Sequence, residues 1–116
     1  MSTQAQQQAQ ERAEQLSTGL AAMAEPHRLL IMRQLRRGPR TAGYLARALG
    51  IAPSLASHHL TALVEAELVS RRRAGNYVCY TADTAQLRKL HQQLGKLAGA
   101  TGPAGEHAAQ AASNPC

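Results

Sequence analysis

Apolar residues recur at helical intervals over most of this chain and switch to strand-like spacing only once. From about Ala5 to Ala24, an Ala/Gln-rich stretch places Leu16, Leu20 and Met23 at i, i+4 and i+7, which predicts an amphipathic helix with two frayed first turns. Between Arg28 and Arg37, Leu29, Leu30, Ile31, Met32 and Leu35 are apolar on more than one side, which predicts a buried helix ending at Gly38-Pro39. Leu45, Ala48 and Leu49 give a short helix that Thr41 caps and Gly50 ends, with Ile51 plugging the corner behind it. From Pro53 the period resumes at Leu55 or Ala56, Leu60, Leu63 and Val64, while Ser54, Ser57, His58 and Thr61 fall largely on the other face. Leu68-Val69 and Arg71-Arg72-Arg73, then Tyr77-Val78-Cys79-Tyr80, are β-prone runs joined by a turn signal at Gly75-Asn76. A last helix, capped by Asp83 or Thr84, repeats Leu87, Leu90, Leu94 and Leu97 at the spacing of helices that pair.

These elements describe a mainly α fold with a small β-hairpin, in the order α-α-α-α-β-β-α. Two helices around a tight turn, followed at once by a basic hairpin, form a winged helix-turn-helix. Residues 1–14 read as a polar, partly frayed extension, 15–99 as one domain for DNA binding and dimerisation, and 100–116 as a flexible Gly/Ala/Pro/Ser-rich tail.

Composition narrows the function. At 116 residues without Trp or Phe, the chain suits one compact domain with an aliphatic core, and a domain this small gains buried area by dimerising. Its formal charge is +6, and between Pro26 and Tyr80 nine arginines face only Glu65 and Glu67, so the positive charge sits with the helix-turn-helix. A helix with small polar residues outward suits a major groove. Ser54, Ser57, His58 and Thr61 are accordingly the expected contacts to base edges or phosphates, Ser57 and His58 foremost. Arg71 and Arg73 share one strand face and, with Asn76 at the turn, are expected to meet the phosphate backbone. His59, beside Leu60, is expected to pack toward the helix-helix interface, His91 to sit beside the leucine seam, and His107 to be solvated.

Other classes find little support. The chain has no Gly-rich phosphate loop, paired carboxylates or nucleophile with an evident base, so an enzyme is not expected. The polar N-terminus and the lack of a bilayer-length apolar run predict a cytoplasmic protein with no membrane partner. Two cysteines and no C-x-x-C pair do not suggest a structural disulfide.

The chain resembles the ArsR/SmtB family of winged-helix repressors. The resemblance runs over roughly residues 15 to 98 and rests on Glu25-Pro26-His27-Arg28-Leu29-Leu30-Ile31-Met32, Leu45-Ala46, Leu49-Gly50-Ile51, Ser57-His58-His59-Leu60 with Leu63, and Leu68-Val69 with Arg71, Arg72, Gly75, Val78 and Tyr80. It implies a homodimer formed through the first and last helices, which binds an inverted-repeat operator in double-stranded DNA and leaves it when an inducer binds. Two residues depart from the family pattern: Ala52 replaces a capping Ser, and Glu67 replaces a Gly. Each departure is expected to cost about 1 kcal/mol of stability rather than function.

The familiar metal sites of the family are missing. Asp83 is followed at the zinc-site positions by Ala85, Lys96 and Gly99, and Thr41 to Leu45 lacks the cysteines of the arsenic site. Cys79 and Cys116 remain as the unusual chemistry. A flexible tail after Gly99 has an r.m.s. span of roughly 23 Å, which lets Cys116 visit Cys79 of either subunit. The pair would bind a soft metal(loid) such as Hg(II) or As(III), helped by His91, His107 or a water. A reversible thiol redox or reactive-sulfur sensor of the same fold is the alternative, as is a ligand-independent nucleic-acid-binding or protein-interaction winged helix.

Overall fold

A computed structural model describes residues 3–99, which form five helices and three short strands. In chain order these are α1 (Thr3–Met23), α2 (Pro26–Leu35), β1 (Arg40–Thr41), α3 (Ala42–Leu49), α4 (Pro53–Glu65), β2 (Val69–Ala74), β3 (Tyr77–Ala82) and α5 (Thr84–Leu97). The expected winged helix-turn-helix is present, with one strand added. β1 pairs antiparallel with β3 through Arg40↔Tyr80 and Thr41↔Cys79, so the sheet order is β1-β3-β2. Two residues are too short to carry a period-2 pattern, and only the pairing defines the strand. Residues 3–14 are helical and exposed within α1.

Side-chain caps fix where the helices start. Glu25, in extended backbone, accepts the Arg28 N–H at 3.0 Å, and Pro26 occupies the first helical position of α2. Thr41 accepts the Tyr44 N–H at 3.2 Å, and Asp83 accepts the Gln86 N–H at 3.0 Å. Ala52, as its side chain dictates, provides no cap for α4.

Left-handed residues fix where α3 and α4 stop. Gly50 takes φ +68° while Ile51 N–H donates to Ala46 O at 3.0 Å and Gly50 N–H to Arg47 O at 3.2 Å. Glu67 repeats this closure at the end of α4 with φ +63°, as Leu68 N–H donates to Leu63 O at 3.0 Å and Glu67 N–H to Val64 O at 2.9 Å. A side chain in that conformation costs about 1–2 kcal/mol, which glycine avoids.

Ile31, Leu45, Leu60, Leu63 and Leu68 are the largest fully buried side chains, so α2, α3, α4 and the start of β2 share one aliphatic centre. Two sequence expectations need correction here. Only Ile31, Met32 and Leu35 of α2 are buried, whereas Leu29 and Leu30 are 46% and 43% exposed, because neighbours cover one side of the helix and not two. The leucine seam of α5 also divides. Leu87 and Leu90 pack against the chain's own core, while Leu94 and Leu97 are exposed. Leu90 lies so close to α1 that a Cβ added at Gly19 would sit 2.7 Å from its methyls. Beside that contact, Leu16, Leu20 and Leu97 help line an open groove of about 960 Å³ between α1 and α5.

Candidate nucleic-acid interface

Helix α4 is held by one face and presents the other. Ala56, His59, Leu60 and Leu63 are buried against the core, and Ser54, Ser57, His58 and Thr61 are all exposed. A 3.6-residue period separates these two sets, so burial of the leucines places the four polar side chains together on the outer surface. The Gly50–Ile51 closure sets the angle between α3 and α4. Arg40 stacks over Tyr44 with its guanidinium carbon 4.7 Å from the ring centroid, next to the Thr41 cap.

The wing supplies the second part of the candidate interface. β2 and β3 pair in full register from Val69↔Ala82 to Ala74↔Tyr77, which leaves Gly75 and Asn76 as a two-residue loop. Gly75 takes φ +62° there, a conformation that a side chain would strain. Arg71, Arg72 and Arg73 are all exposed, as is Asn76. Strand alternation separates Arg72 from Arg71 and Arg73, but beyond Val69 both faces of β2 are open and none of the three is covered. Anionic groups thus have access to three guanidinium groups in a row.

The cysteines fare differently. Cys79 is buried in the middle of β3, opposite Thr41 on one side and Arg72 on the other. Cys116 and His107 lie outside the described residues. His91 is exposed on α5.

A third arrangement lies beneath α4, where Glu25 and His59 meet although 34 positions separate them in sequence. His59 Nε2 is 3.7 Å from Glu25 Oε2, and His27 Nδ1 is 3.7 Å from Glu25 Oε1. The His27 and His59 rings are tilted with centroids 5.4 Å apart, and the His58 ring is 5.6 Å from that of His59. Burial pushes the His59 pKa down; Glu25 opposes this, while Arg28, His27 and His58 add to it, and the net shift is downward. The imidazole is therefore neutral at pH 7, and its contact with Glu25 is not an ion pair there. Partial burial pushes Glu25 up, but the Arg28 N–H bond and the two histidines outweigh it, so its carboxyl titrates below the ordinary range. His59 packs inward as the sequence suggested, but its pairing with Glu25 carried no signal in the local pattern.

A family model described as "Bacterial regulatory protein, arsR family" matches residues 25–71, the segment from the α2 cap to the start of the wing. The transcriptional repressor SdpR of Bacillus subtilis is 36% identical over 67 residues, which span 58% of this chain and 74% of SdpR. The chain belongs to the ArsR family. Another relative, the HTH-type transcriptional regulator NmtR of Mycobacterium tuberculosis, is 41% identical over 78 residues, 67% of this chain and 65% of NmtR. The chain thus spans about two thirds of that relative's length. Among solved structures, the homodimeric winged helix-turn-helix DNA-binding domain Mb0332 of Mycobacterium bovis superposes with a TM-score of 0.63 at 27% identity, over 83% of this chain and 89% of that one. ArsR-family membership accounts for the order of elements and for the exposed outer face of α4. Among the described residues no helix is long and apolar enough to cross a membrane.

Proposed function

We propose that this ArsR-family chain is a homodimeric transcriptional repressor that reads an inverted-repeat operator. The observation that carries the reading is the division of α4 into a buried apolar face and an exposed face of Ser54, Ser57, His58 and Thr61. Seated in a major groove, that face offers hydroxyls and an imidazole to base edges, and a groove about 12 Å wide admits one helix. Arg71 and Arg73 with Asn76 at the wing tip then engage the phosphate backbone alongside. Two copies docked through the α1/α5 surface, where Leu94 and Leu97 are exposed, set two recognition helices about one helical turn of DNA apart. The described homodimer of Mb0332 supports that assembly.

A pool of randomised duplexes selected on the purified protein tests this. Enrichment of an inverted repeat, with binding lost in the Ser57→Ala/His58→Ala variant, is expected. Equal retention of every duplex would leave only non-specific charge attraction.

A thiol route to induction is supported by the position of Cys79. Its strand neighbours are Thr41, which caps α3, and Arg72 of the wing, so chemistry at this sulfur acts on both halves of the DNA interface. Cys79 is disulfide-bonded in this structure, contrary to the sequence expectation, so the route starts from the reduced protein. There Cys79 and Cys116 would supply two thiols that bind Hg(II) or As(III), or that give up two electrons and two protons to a peroxide to form a disulfide and water. Operator release by these agents, abolished in Cys79→Ser and in Cys116→Ser, is the expected result. An identical response in both variants contradicts the route.

A further inference from the structure

We propose that Glu25, His27 and His59 form a binding site for a first-row divalent cation of the Zn(II) type, which couples the start of α2 to the inner face of the DNA-reading helix. The coupling rests on the DNA-reading role of α4 given above; the ion site does not.

One donor atom from each residue lies within 4.8 Å of the other two. Among the described residues His59 has no hydrogen-bond partner for either ring nitrogen, although the residue is only 6% exposed. An unsatisfied buried polar group costs about 1–3 kcal/mol, and a cation bonded to Nε2 would remove part of that cost. Glu25 Oε2 already accepts the Arg28 N–H, which leaves Oε1, the oxygen facing His27 Nδ1, to coordinate. The guanidinium of the neighbouring Arg28 has its Nη1 committed to Ala22 O at 3.2 Å.

Zn–N and Zn–O bonds of about 2.0–2.2 Å place tetrahedral ligand atoms roughly 3.3–3.5 Å apart. The 3.7 Å separation of Glu25 Oε1 from His27 Nδ1 therefore needs to close by only a few tenths of an ångström, and the donor nitrogen of His59, within 4.8 Å of the other two donors, by up to about 1.5 Å. Glu25 and His27 side chains are 30% and 37% exposed, so they can make the adjustment and leave the fourth position to water. Two imidazoles and a carboxylate select a borderline ion such as Zn(II) over Hg(II) or As(III), which need thiolate. Closing the cluster pulls His59 toward α2 and re-seats α4, and His58, the adjacent outward residue, moves with it.

The full chain, stripped with a chelator and carrying Cys79→Ser/Cys116→Ser to remove thiol donors, is titrated with Zn(II) against a chromophoric chelator and with Co(II) followed by its visible d–d bands. Binding of one ion per protomer is expected, weakened about tenfold or more by His27→Ala and by Glu25→Gln, which keeps an oxygen for the α2 cap. Circular dichroism of each variant reports whether it is folded. No ion in the thiol-free chain, or parental affinity in both folded variants, overturns the site. A parallel measurement uses the selected duplex. Zn(II) is expected to lower affinity about tenfold, an effect lost in His27→Ala with its metal-free affinity intact. Unchanged or raised affinity overturns the coupling. Zn(II) binding by a protein that prefers no DNA sequence would instead contradict the operator-reading function and leave the ion site standing.

Discussion

The two faces of α4 follow different rules. Its outer face, Ser54, Ser57, His58 and Thr61, is solvated and makes none of the core contacts, so its side chains are free to serve recognition. Its inner face, Ala56, His59, Leu60 and Leu63, is locked into the core and carries one polar group, His59, whose surroundings are set by α2. One turn of helix thus holds both the residue proposed to read DNA and the residue proposed to hold an ion. Substitutions on the two faces should separate affinity from stability.

The largest expected effect is on the inner face. Leu60→Ala removes a side chain with no solvent exposure and should cost about 2–5 kcal/mol, measured by denaturant unfolding. A cost below about 1 kcal/mol would mean that Leu60 does not anchor α4 in the core. On the outer face Ser57→Ala and His58→Ala should leave the melting temperature unchanged while each weakens binding to the selected duplex by about 1–3 kcal/mol. If both variants melted early with normal affinity, the assignment of the faces would be reversed.

The wing sharpens the contrast between base reading and charge. Arg71→Ala and Arg73→Ala should weaken binding to all duplexes alike, and each should reduce the slope of log affinity against log salt by about 1. Loss of preference among duplexes, with an unaltered salt slope, would place these arginines on bases instead. The smallest effects lie at the helix ends. Ala52→Ser, which restores a cap oxygen for α4, and Glu67→Gly, which relieves a side chain at φ +63°, should each stabilise by about 1 kcal/mol without changing DNA affinity.

Much of this architecture was legible in the sequence because its causes are local. Thr41 caps α3 as expected, Asp83 rather than Thr84 caps α5, Gly50 ends α3 in the left-handed region, and the polar stripe of α4 is exposed as its spacing implies. β1 was not legible, since two residues have no period and owe their conformation to Tyr80 and Cys79 across the sheet. Leu29 and Leu30 misled for a related reason: apolarity says that a helix can be buried, while tertiary contacts decide on which side. Glu25 was visible only as part of a family resemblance. Glutamate is not a favoured N-cap, and its approach to His59 depends on how α2 crosses α4, which no local spacing encodes. The division of the α5 leucines has the same origin, because Gly19 in α1 determines how closely Leu90 can approach.

The central claim is that the outer face of α4 reads DNA sequence. Fluorescence anisotropy of the selected duplex and of a scrambled duplex, titrated with wild-type protein and with folded Ser57→Ala/His58→Ala, tests it most directly. The wild type should prefer the selected duplex by about 10³-fold or more, and the variant should lose most of that preference while binding the scrambled duplex as before. A variant that keeps the full preference would contradict the claim and move recognition elsewhere on the protein.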